Sequence, residues 1–165
     1  MNTADKEAVE LVADFWRTFS NTQATITTNI FDPADIVLEV HGRTERRMAV
    51  EVKARVNCDS TTYPRMMVEK PKIDALTDCV RRGEYDGIML ATYFPSDGVL
   101  QVGNPLDPGT IIRDLDCPAT SCFDRHQRRE KEILLVRPEP GFSWRVWRDP
   151  ATGRVLKEQL PDPAP

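Results

Sequence analysis

Residues 33–54, PADIVLEVHGRTERRMAVEVKA, contain the clearest strand pattern of the sequence. Apolar residues alternate or run together over residues 35–40 and 47–54, as they do in strands that bury at least one face. Between these two runs lies the segment His41-Gly42-Arg43-Thr44-Glu45, which has the length and the glycine content of a hairpin loop. The stretch therefore predicts a β-hairpin whose turn is centred near Arg43.

On the amino-terminal side of this hairpin, apolar residues recur with the period of a helix from Ala4 to Phe19. They fall on one side of a helical wheel and are Ala8, Val12, Phe15, Trp16 and Phe19. This pattern predicts an amphipathic helix. The Thr-rich text that follows has strand propensity over residues 24–30 and ends at the breaker Phe31-Asp32-Pro33, so a strand is expected before the hairpin.

On the carboxyl-terminal side, residues 69–82 predict a second helix, because Pro71 lies near its start and Gly83 just past its end. The run GIMLATYF, residues 87–94, predicts a buried strand, and a turn at 95–98 joins it to a strand over 99–102. Further strands are expected over 132–136 and 142–147. Residues 103–121 are rich in Pro, Gly and Asp, which predicts a long loop with at most one short element.

Taken in order, these elements predict an α/β fold with a mixed central β-sheet: an αβββαβ core flanked by helices, followed by carboxyl-terminal strands. A chain of 165 residues has the usual size of one domain, so we expect a single domain over residues 1–160. The last five residues, PDPAP (161–165), are expected to form a disordered tail.

The composition suits a soluble globular chain, since 40% of the residues are hydrophobic, 29% are charged and the net charge is -4. A net acidic chain is not a nucleic-acid binder of the kind that depends on an overall positive field, so any site for a polyanion must be local. The apolar runs are too short to span a bilayer, and no basic stretch followed by an apolar run begins the chain. We therefore expect an intracellular, cytoplasmic protein that does not bind membranes.

Three residues of the predicted hairpin are candidates for chemistry: Asp35 at the start of its first strand, and Glu51 and Lys53 near the end of its second. Residues two apart in a strand project from the same face of the sheet, as Glu51 and Lys53 do. With a turn centred near Arg43, Asp35 lies opposite the segment 51–53 and within cross-strand reach of both side chains. Two carboxylates and an ammonium group are thus predicted to converge.

Such a cluster suits metal-assisted hydrolysis of a phosphodiester. Two carboxylates with a backbone carbonyl form a hard oxygen site that suits Mg²⁺ or Mn²⁺ and leaves positions for water and a phosphate oxygen. The metal lowers the pKa of its bound water, and a neighbouring lysine can orient that water or stabilise charge.

The acid-x-Lys triplet is weak support by itself, because a chain with 26 acids and six lysines contains roughly one by chance. Its placement carries more weight, since it is the only such triplet and it follows a strand headed by Asp35. The alternative is that Glu51 and Lys53 alternate on an exposed hairpin face and simply keep a sheet edge soluble.

Residues 33–53 resemble the two half-motifs of the PD-(D/E)xK nuclease superfamily. PADIVLEV supplies the first half with Pro33 and Asp35, which are separated here by Ala34, and VEVK supplies the second half with Glu51 and Lys53. The resemblance implies an αβββαβ core over about residues 4–94 and Mg²⁺-dependent cleavage of nucleic acid. Some members of this superfamily are inactive binding or structural modules.

By this similarity Asp35, Glu51 and the backbone carbonyl of Val52 would hold the metal, and Lys53 would position the nucleophilic water. Many members add an acid from the first helix, and here Glu7, which flanks the apolar stripe, is the candidate. The segment 63–72 is similar to a tyrosine-to-lysine stretch that follows the ExK strand in some phage-type members, which adds the expectation of a phage-encoded protein.

Basic residues at two places are candidates for contacts with nucleic acid. Lys70 and Lys72 lie at the start of the second predicted helix, where side-chain charge and the positive end of the helix dipole can both bind phosphate. The densest basic run is 125–131, from which Arg128, Arg129 and Lys131 are the candidates for backbone phosphate contacts. At both places the alternative is a solvated surface without a ligand.

These observations lead us to expect an Mg²⁺- or Mn²⁺-dependent nuclease, a hydrolase that acts as an endo- or exonuclease with DNA as its default substrate. One alternative is a catalytically silent nuclease-fold module that binds nucleic acid or a partner protein. A second is an unrelated α/β protein in which the three candidate side chains do not converge. A homodimer or a larger complex also stays open, because a domain of this size lacks the surface to encircle a duplex.

Overall fold

A computed structural model describes residues 3–28, 32–118 and 128–162. Within these residues the chain forms two helices and ten strands. In chain order they are α1 (Thr3–Arg17), β1 (Thr22–Ile26), β2 (Ile36–Val40), β3 (Arg46–Ala54), β4 (Met66–Glu69), α2 (Lys70–Arg81), β5 (Gly87–Phe94), β6 (Val99–Gly103), β7 (Ile111–Pro118), β8 (Arg128–Val136), β9 (Ser143–Arg148) and β10 (Val155–Gln159).

The described strands form two sheets. The larger has seven strands in the order β1-β2-β3-β5-β6-β9-β10, and the smaller has three in the order β4-β8-β7. Neighbouring strands are antiparallel except for β3 and β5, which are parallel. A parallel pair needs a crossover connection, and α2 lies in the connection between β3 and β5. The predicted α/β class with a mixed central sheet is therefore confirmed.

The larger sheet carries an apolar core on each face. α1 supplies its apolar stripe to the first core, in which Phe15 packs with Val50 of β3. On the other face, residues of α2 such as Leu76 pack with Ala49 of β3 and with the smaller sheet. Side chains alternate along a strand, so the odd-numbered residues of β3, including Glu51, project toward α2.

The hairpin expected from residues 33–54 is present as β2 and β3. Its residue pairs run from Ile36 opposite Val50 to Val40 opposite Arg46, which centres the turn on Arg43 as predicted. β5 spans the predicted residues, and α2 begins and ends within one residue of the predicted helix. Local periodicity was enough to locate these elements.

Three strands depart from the sequence prediction. β4 and β10 lie in segments for which the sequence predicts no strand, and β7 occupies part of the expected long loop over 103–121. All three lie at the edges of their sheets. β4 buries Met66 and Val68 but has only four residues, too few for a distinct period. The side chains of β10 and of residues 111–116 of β7 are mostly exposed, so burial imposes little pattern on these two sequences.

The ends of the described ranges bear on two further expectations. β1 ends at Ile26, before the end of the strand expected over 24–30, and residues 29–31 lie outside the described part of the chain. In the segment expected to be a disordered tail, Asp162 accepts a hydrogen bond from the Gly141 backbone N–H at 2.6 Å, and residues 163–165 lie outside the described ranges. No helix of the described residues is both long and apolar enough to cross a membrane.

Candidate active site

Asp35 lies at the open end of the hairpin, one residue before β2. The register that pairs Ile36 with Val50, continued by one residue, places Asp35 opposite Glu51. Two main-chain contacts hold it there: the Asp35 backbone N–H donates to the Val50 carbonyl at 3.0 Å, and the Val52 backbone N–H donates to Asp35 Oδ2 at 2.9 Å. The structure thus brings Asp35 and Glu51 together at the point where the two strands meet.

Glu51 is buried, with only 1% of the residue exposed. Lys53 Nζ lies 2.7 Å from Glu51 Oε1, and Lys72 Nζ, from α2, lies 3.2 Å from Oε2. Both lysine side chains are about one-third exposed, so the carboxylate lies beneath two partly solvated cations. Oε2 accepts no hydrogen bond from the described residues, because the Lys72 contact is an ion pair without hydrogen-bond geometry.

Burial raises the pKa of Glu51 from its ordinary 4.5 to about 7. The Lys53 ammonium opposes this rise in the pKa, the Asp35 carboxylate adds to it, and Lys72 opposes it. Near neutral pH the carboxyl group therefore exchanges between its protonated and ionised forms. A carboxyl group whose pKa is moved by burial and by a neighbouring carboxylate is typical of a functional site.

Lys72 joins this cluster, although the sequence identified it only as a candidate phosphate contact. α2 begins at Lys70 with Pro71 in its first turn, and its N-cap residue Glu69 forms no side-chain cap. Because α2 packs on the face from which Glu51 projects, a residue in the first turn can reach the Glu51 carboxylate. The sequence signal was a lysine at a predicted helix start, which does not reveal the partner.

The other basic candidates lie at the start of α2 or on β8. Lys70 pairs with Asp74 at 2.7 Å on the surface of α2. The Lys131 side chain is 12% exposed and pairs with Glu69 at 2.7 Å, which ties β8 to the start of α2. Arg129 is exposed on β8. Lys70 and Lys131 are thus each paired with an acid near the first turn of α2, from which Lys72 reaches the site.

Two sequence candidates do not extend the cluster. Glu7 is exposed on α1, and α1 packs on the opposite face of the sheet from Glu51. Arg128 is the first residue of β8, and its side chain lies outside the described part of the chain. Within residues 3–28, 32–118 and 128–162, no group of three or more His, Cys, Asp or Glu side chains is placed to hold a metal ion. Any metal here would have two carboxylate ligands, those of Asp35 and Glu51.

Asp35 and Glu51 offer oxygen donors of the type that a divalent cation binds. Glu51 Oε2 is a buried oxygen without a hydrogen-bond donor among the described residues, and Asp35 uses Oδ2 for the Val52 N–H. The N–H and C=O of one strand residue point to the same side, so the Val52 carbonyl faces the side of Asp35. Two carboxylates and a carbonyl are hard oxygen ligands of the kind that Mg²⁺ and Mn²⁺ prefer.

No protein-family model, curated protein or solved structure matches this chain. Function is therefore inferred from the chemistry of the site.

Proposed function

We propose that this protein is a divalent-metal-dependent nuclease that hydrolyses phosphodiester bonds of DNA in the cytoplasm. The observation that carries the proposal is the placement of Asp35 opposite Glu51 at the open end of the hairpin, with Lys53 Nζ 2.7 Å from Glu51. The order of elements from α1 to β5, with β4 as the one addition, supports the proposal as well, because the resemblance to the PD-(D/E)xK nucleases implies an αβββαβ core.

Each side chain has a distinct role in this proposal. Asp35, Glu51 and the Val52 carbonyl would hold Mg²⁺ or Mn²⁺, which when bound would supply a water molecule of lowered pKa. Glu51 must be ionised to serve as a ligand, and the two neighbouring lysines favour its ionised form. Lys53 donates a hydrogen bond that orients the attacking water, and Lys72, which lies at the other oxygen of Glu51, binds the scissile phosphate.

The test is to incubate the purified protein with plasmid, single-stranded DNA and RNA in Mg²⁺, Mn²⁺ or EDTA. We expect DNA cleavage with either ion and none in EDTA. Asp35→Asn, Glu51→Gln and Lys53→Ala should each reduce cleavage by about a hundredfold or more. Asp35→Asn is the most specific of these variants. The asparagine amide keeps an oxygen that can accept the hydrogen bond from the Val52 N–H, and only the negative charge is lost.

Matched controls come from the other face of the sheet. Glu10→Gln and Lys6→Ala alter exposed residues of α1 and should retain the wild-type rate. The proposal would be overturned by cleavage that resists EDTA or by an Asp35→Asn protein that cuts as fast as wild type. Cleavage of RNA in preference to DNA would correct the substrate and leave the metal-dependent chemistry in place.

The two ion pairs of Glu51 favour a second candidate function. Lys53 and Lys72 lie beside the Glu51 carboxylate and offset part of its charge without a metal. This arrangement suits a silent nuclease-fold module that binds nucleic acid or a partner protein and cuts neither DNA nor RNA. Binding of a labelled oligonucleotide in EDTA, together with no cleavage of any substrate in Mg²⁺ or Mn²⁺, would favour this candidate.

A further inference from the structure

The two outer strands of the larger sheet, β1 and β10, differ in how the backbone groups of their outer edges are used. The Thr27 backbone N–H donates toward β2, so the even-numbered residues of β1 direct their backbone groups outward. Among these groups, the Thr22 N–H donates to the Phe19 carbonyl at 3.1 Å. The Ala24 carbonyl accepts two hydrogen bonds from the Arg17 guanidinium, at 2.8 and 3.1 Å. The chain itself therefore closes much of the β1 edge.

The outer edge of β10 is open. Next to this strand the Arg154 carbonyl accepts a hydrogen bond from the Asp149 backbone N–H, and the Leu160 backbone N–H donates to the Ser143 carbonyl, both at 2.8 Å. Because hydrogen-bonded pairs alternate in an antiparallel ladder, the even-numbered residues of β10 bond to β9 and the odd-numbered residues direct their backbone groups outward. These outward groups make no hydrogen bond with the residues that the structure describes. Such an edge can pair with a further strand.

Lys157 lies in the middle of β10 but does not block this edge. Lysines on edge strands often keep other strands away by their charge. Lys157 Nζ instead lies 3.1 Å from the centre of the Phe19 ring and donates a hydrogen bond to Thr18 Oγ1 at 2.6 Å. Its charge is therefore directed over the residues that follow α1 and away from the open edge.

The side chains on the other face of β10 have an order that suits pairing. Leu156 lies directly opposite Trp147 of β9, and the two residues are 42% and 40% exposed. Arg154 and Glu158 flank Leu156 at a distance of two residues, so they project from the same face, and both are exposed. Along the edge the order is therefore a cation, an apolar side chain and an anion.

This order is complementary to itself when two copies of the strand pair antiparallel about Leu156. Leu156 then lies opposite Leu156 of the second copy, and each Arg154 lies opposite Glu158 of the other copy. The outward backbone groups of Val155 meet those of Lys157, so the open edges supply the hydrogen bonds. A register centred on Lys157 would place Leu156 opposite Glu158 and would give neither the apolar contact nor the ion pairs.

We propose that this protein forms a homodimer in which β10 of one copy pairs antiparallel with β10 of a second copy, with Leu156 at the centre. The pairing uses the open edge of both larger sheets, and the chain itself closes much of the β1 edge, so assembly stops at the dimer. A strand of five residues forms a small interface, so the dimer dissociates on dilution. β10 lies four strands from β3, which leaves the candidate active site outside the interface.

The experiment is sedimentation equilibrium of the full chain between about 1 and 500 μM. We expect the wild type to change from monomer to dimer over this range and to form nothing larger. Arg154→Glu and Glu158→Arg each turn both ion pairs of the dimer into pairs of like charge. Each variant should raise the dissociation constant of the dimer about tenfold or more.

An equimolar mixture of these two variants tests the register. In the mixed dimer the acidic residues of the Arg154→Glu chain oppose the basic residues of the Glu158→Arg chain, so dimerisation should return to the wild-type strength. Both variants remain net acidic, since each changes the net charge of -4 by two units, so general attraction between the chains does not explain this recovery. Glu10→Lys, on exposed α1, is the control and should retain the wild-type dissociation constant.

Unfolding temperatures establish that each variant folds. If Glu158→Arg does not fold after losing its exposed ion pair with Arg145, Leu156→Lys takes its place, because it opposes two cations at the centre and should also weaken the dimer. A wild type that stays monomeric at about 500 μM would overturn the proposal. A dimer that is unaffected by both charge reversals would overturn it as well. None of these measurements involves cleavage, so the dimer and the nuclease function can fail separately.

Discussion

At the scale of single residues, Glu51 combines burial with a cation beside each carboxylate oxygen. Burial disfavours the ionised form, and Lys53 and Lys72 compensate only in part, because the pKa of Glu51 remains near 7. A hydrophobic residue at this position would suit the core better. The site therefore keeps a carboxyl group at a cost in stability, as functional sites often do.

The raised pKa of Glu51 predicts that the free energy of unfolding falls as the pH rises from 4.5 to about 7. In this window the native protein holds a proton on Glu51 that the unfolded chain has already released, so raising the pH favours unfolding. The difference between the ordinary pKa of 4.5 and the raised pKa of about 7 corresponds to a loss of at most about 3 kcal/mol in the free energy of unfolding. Unfolding in denaturant across this pH range should show the decline in wild type and a flatter dependence in Glu51→Gln.

Other carboxyl groups also titrate in this pH range. The quantity to compare is therefore the difference in the free energy of unfolding between wild type and Glu51→Gln at each pH. Glu10→Gln removes an exposed carboxyl group of α1 and should follow the wild-type dependence. Identical pH dependence in wild type and Glu51→Gln would mean that Glu51 does not have a raised pKa in the folded protein.

At the scale of elements, the larger and smaller sheets meet at β6. A Cβ added to Gly103, the last residue of β6, would collide with the Arg137 carbonyl oxygen and Met66 Cε and crowd Val136 Cγ1. β4, which contains Met66, leads directly into α2. The close approach at Gly103 therefore helps to position the helix from which Lys72 reaches Glu51.

Gly103→Ala should destabilise the protein by about 2 kcal/mol, because the backbone of residue 137 cannot move aside as a flexible side chain would. Cleavage should fall as well, since β4 and α2 would shift with the smaller sheet. Gly42→Ala is the control: its Cβ would meet only the Thr44 carbonyl oxygen at 3.9 Å, and a change within about 0.5 kcal/mol is expected. Denaturant midpoints measure both effects, and wild-type stability in Gly103→Ala would contradict the close packing of the two sheets.

At the scale of the whole molecule, the cations nearest the site belong to β3, α2 and β8, although the net charge is -4. Lys53 and Lys72 lie at Glu51, Lys131 ties β8 to the start of α2, and Arg129 is exposed on β8. α1 and its charges belong to the opposite face of the larger sheet. Nucleic acid is therefore expected to approach from the side of α2 and β8.

This arrangement predicts that DNA affinity depends on few cations. Lys72→Ala and Arg129→Ala should each weaken binding and reduce the slope of log affinity against log salt concentration by about 1. Lys6→Ala, on α1, should change neither quantity. Glu51→Gln should bind DNA in EDTA as well as wild type or better, because it removes negative charge next to a phosphate. Titrations in EDTA over a salt series measure these effects. If the slope is unchanged in both Lys72→Ala and Arg129→Ala, nucleic acid does not bind on this side of the molecule.

Local sequence features were enough to predict the hairpin and, with it, the meeting of Asp35 and Glu51. Strand periodicity on both sides of a short loop centred on Arg43 leaves one register, and the register decides which residues oppose each other. The positions of α2 and β5 also followed from local periodicity and from the residues that begin and end a helix. Such features depend on interactions between residues that are close in the chain.

The burial of Glu51 and its contact with Lys72 could be seen only in the folded chain. The edge strands β4, β7 and β10 also emerged only there. Each of these features depends on which strands become neighbours and on which face of the sheet α2 packs. No local pattern encodes that choice, because it is made by the burial of apolar surface from distant segments into two common cores.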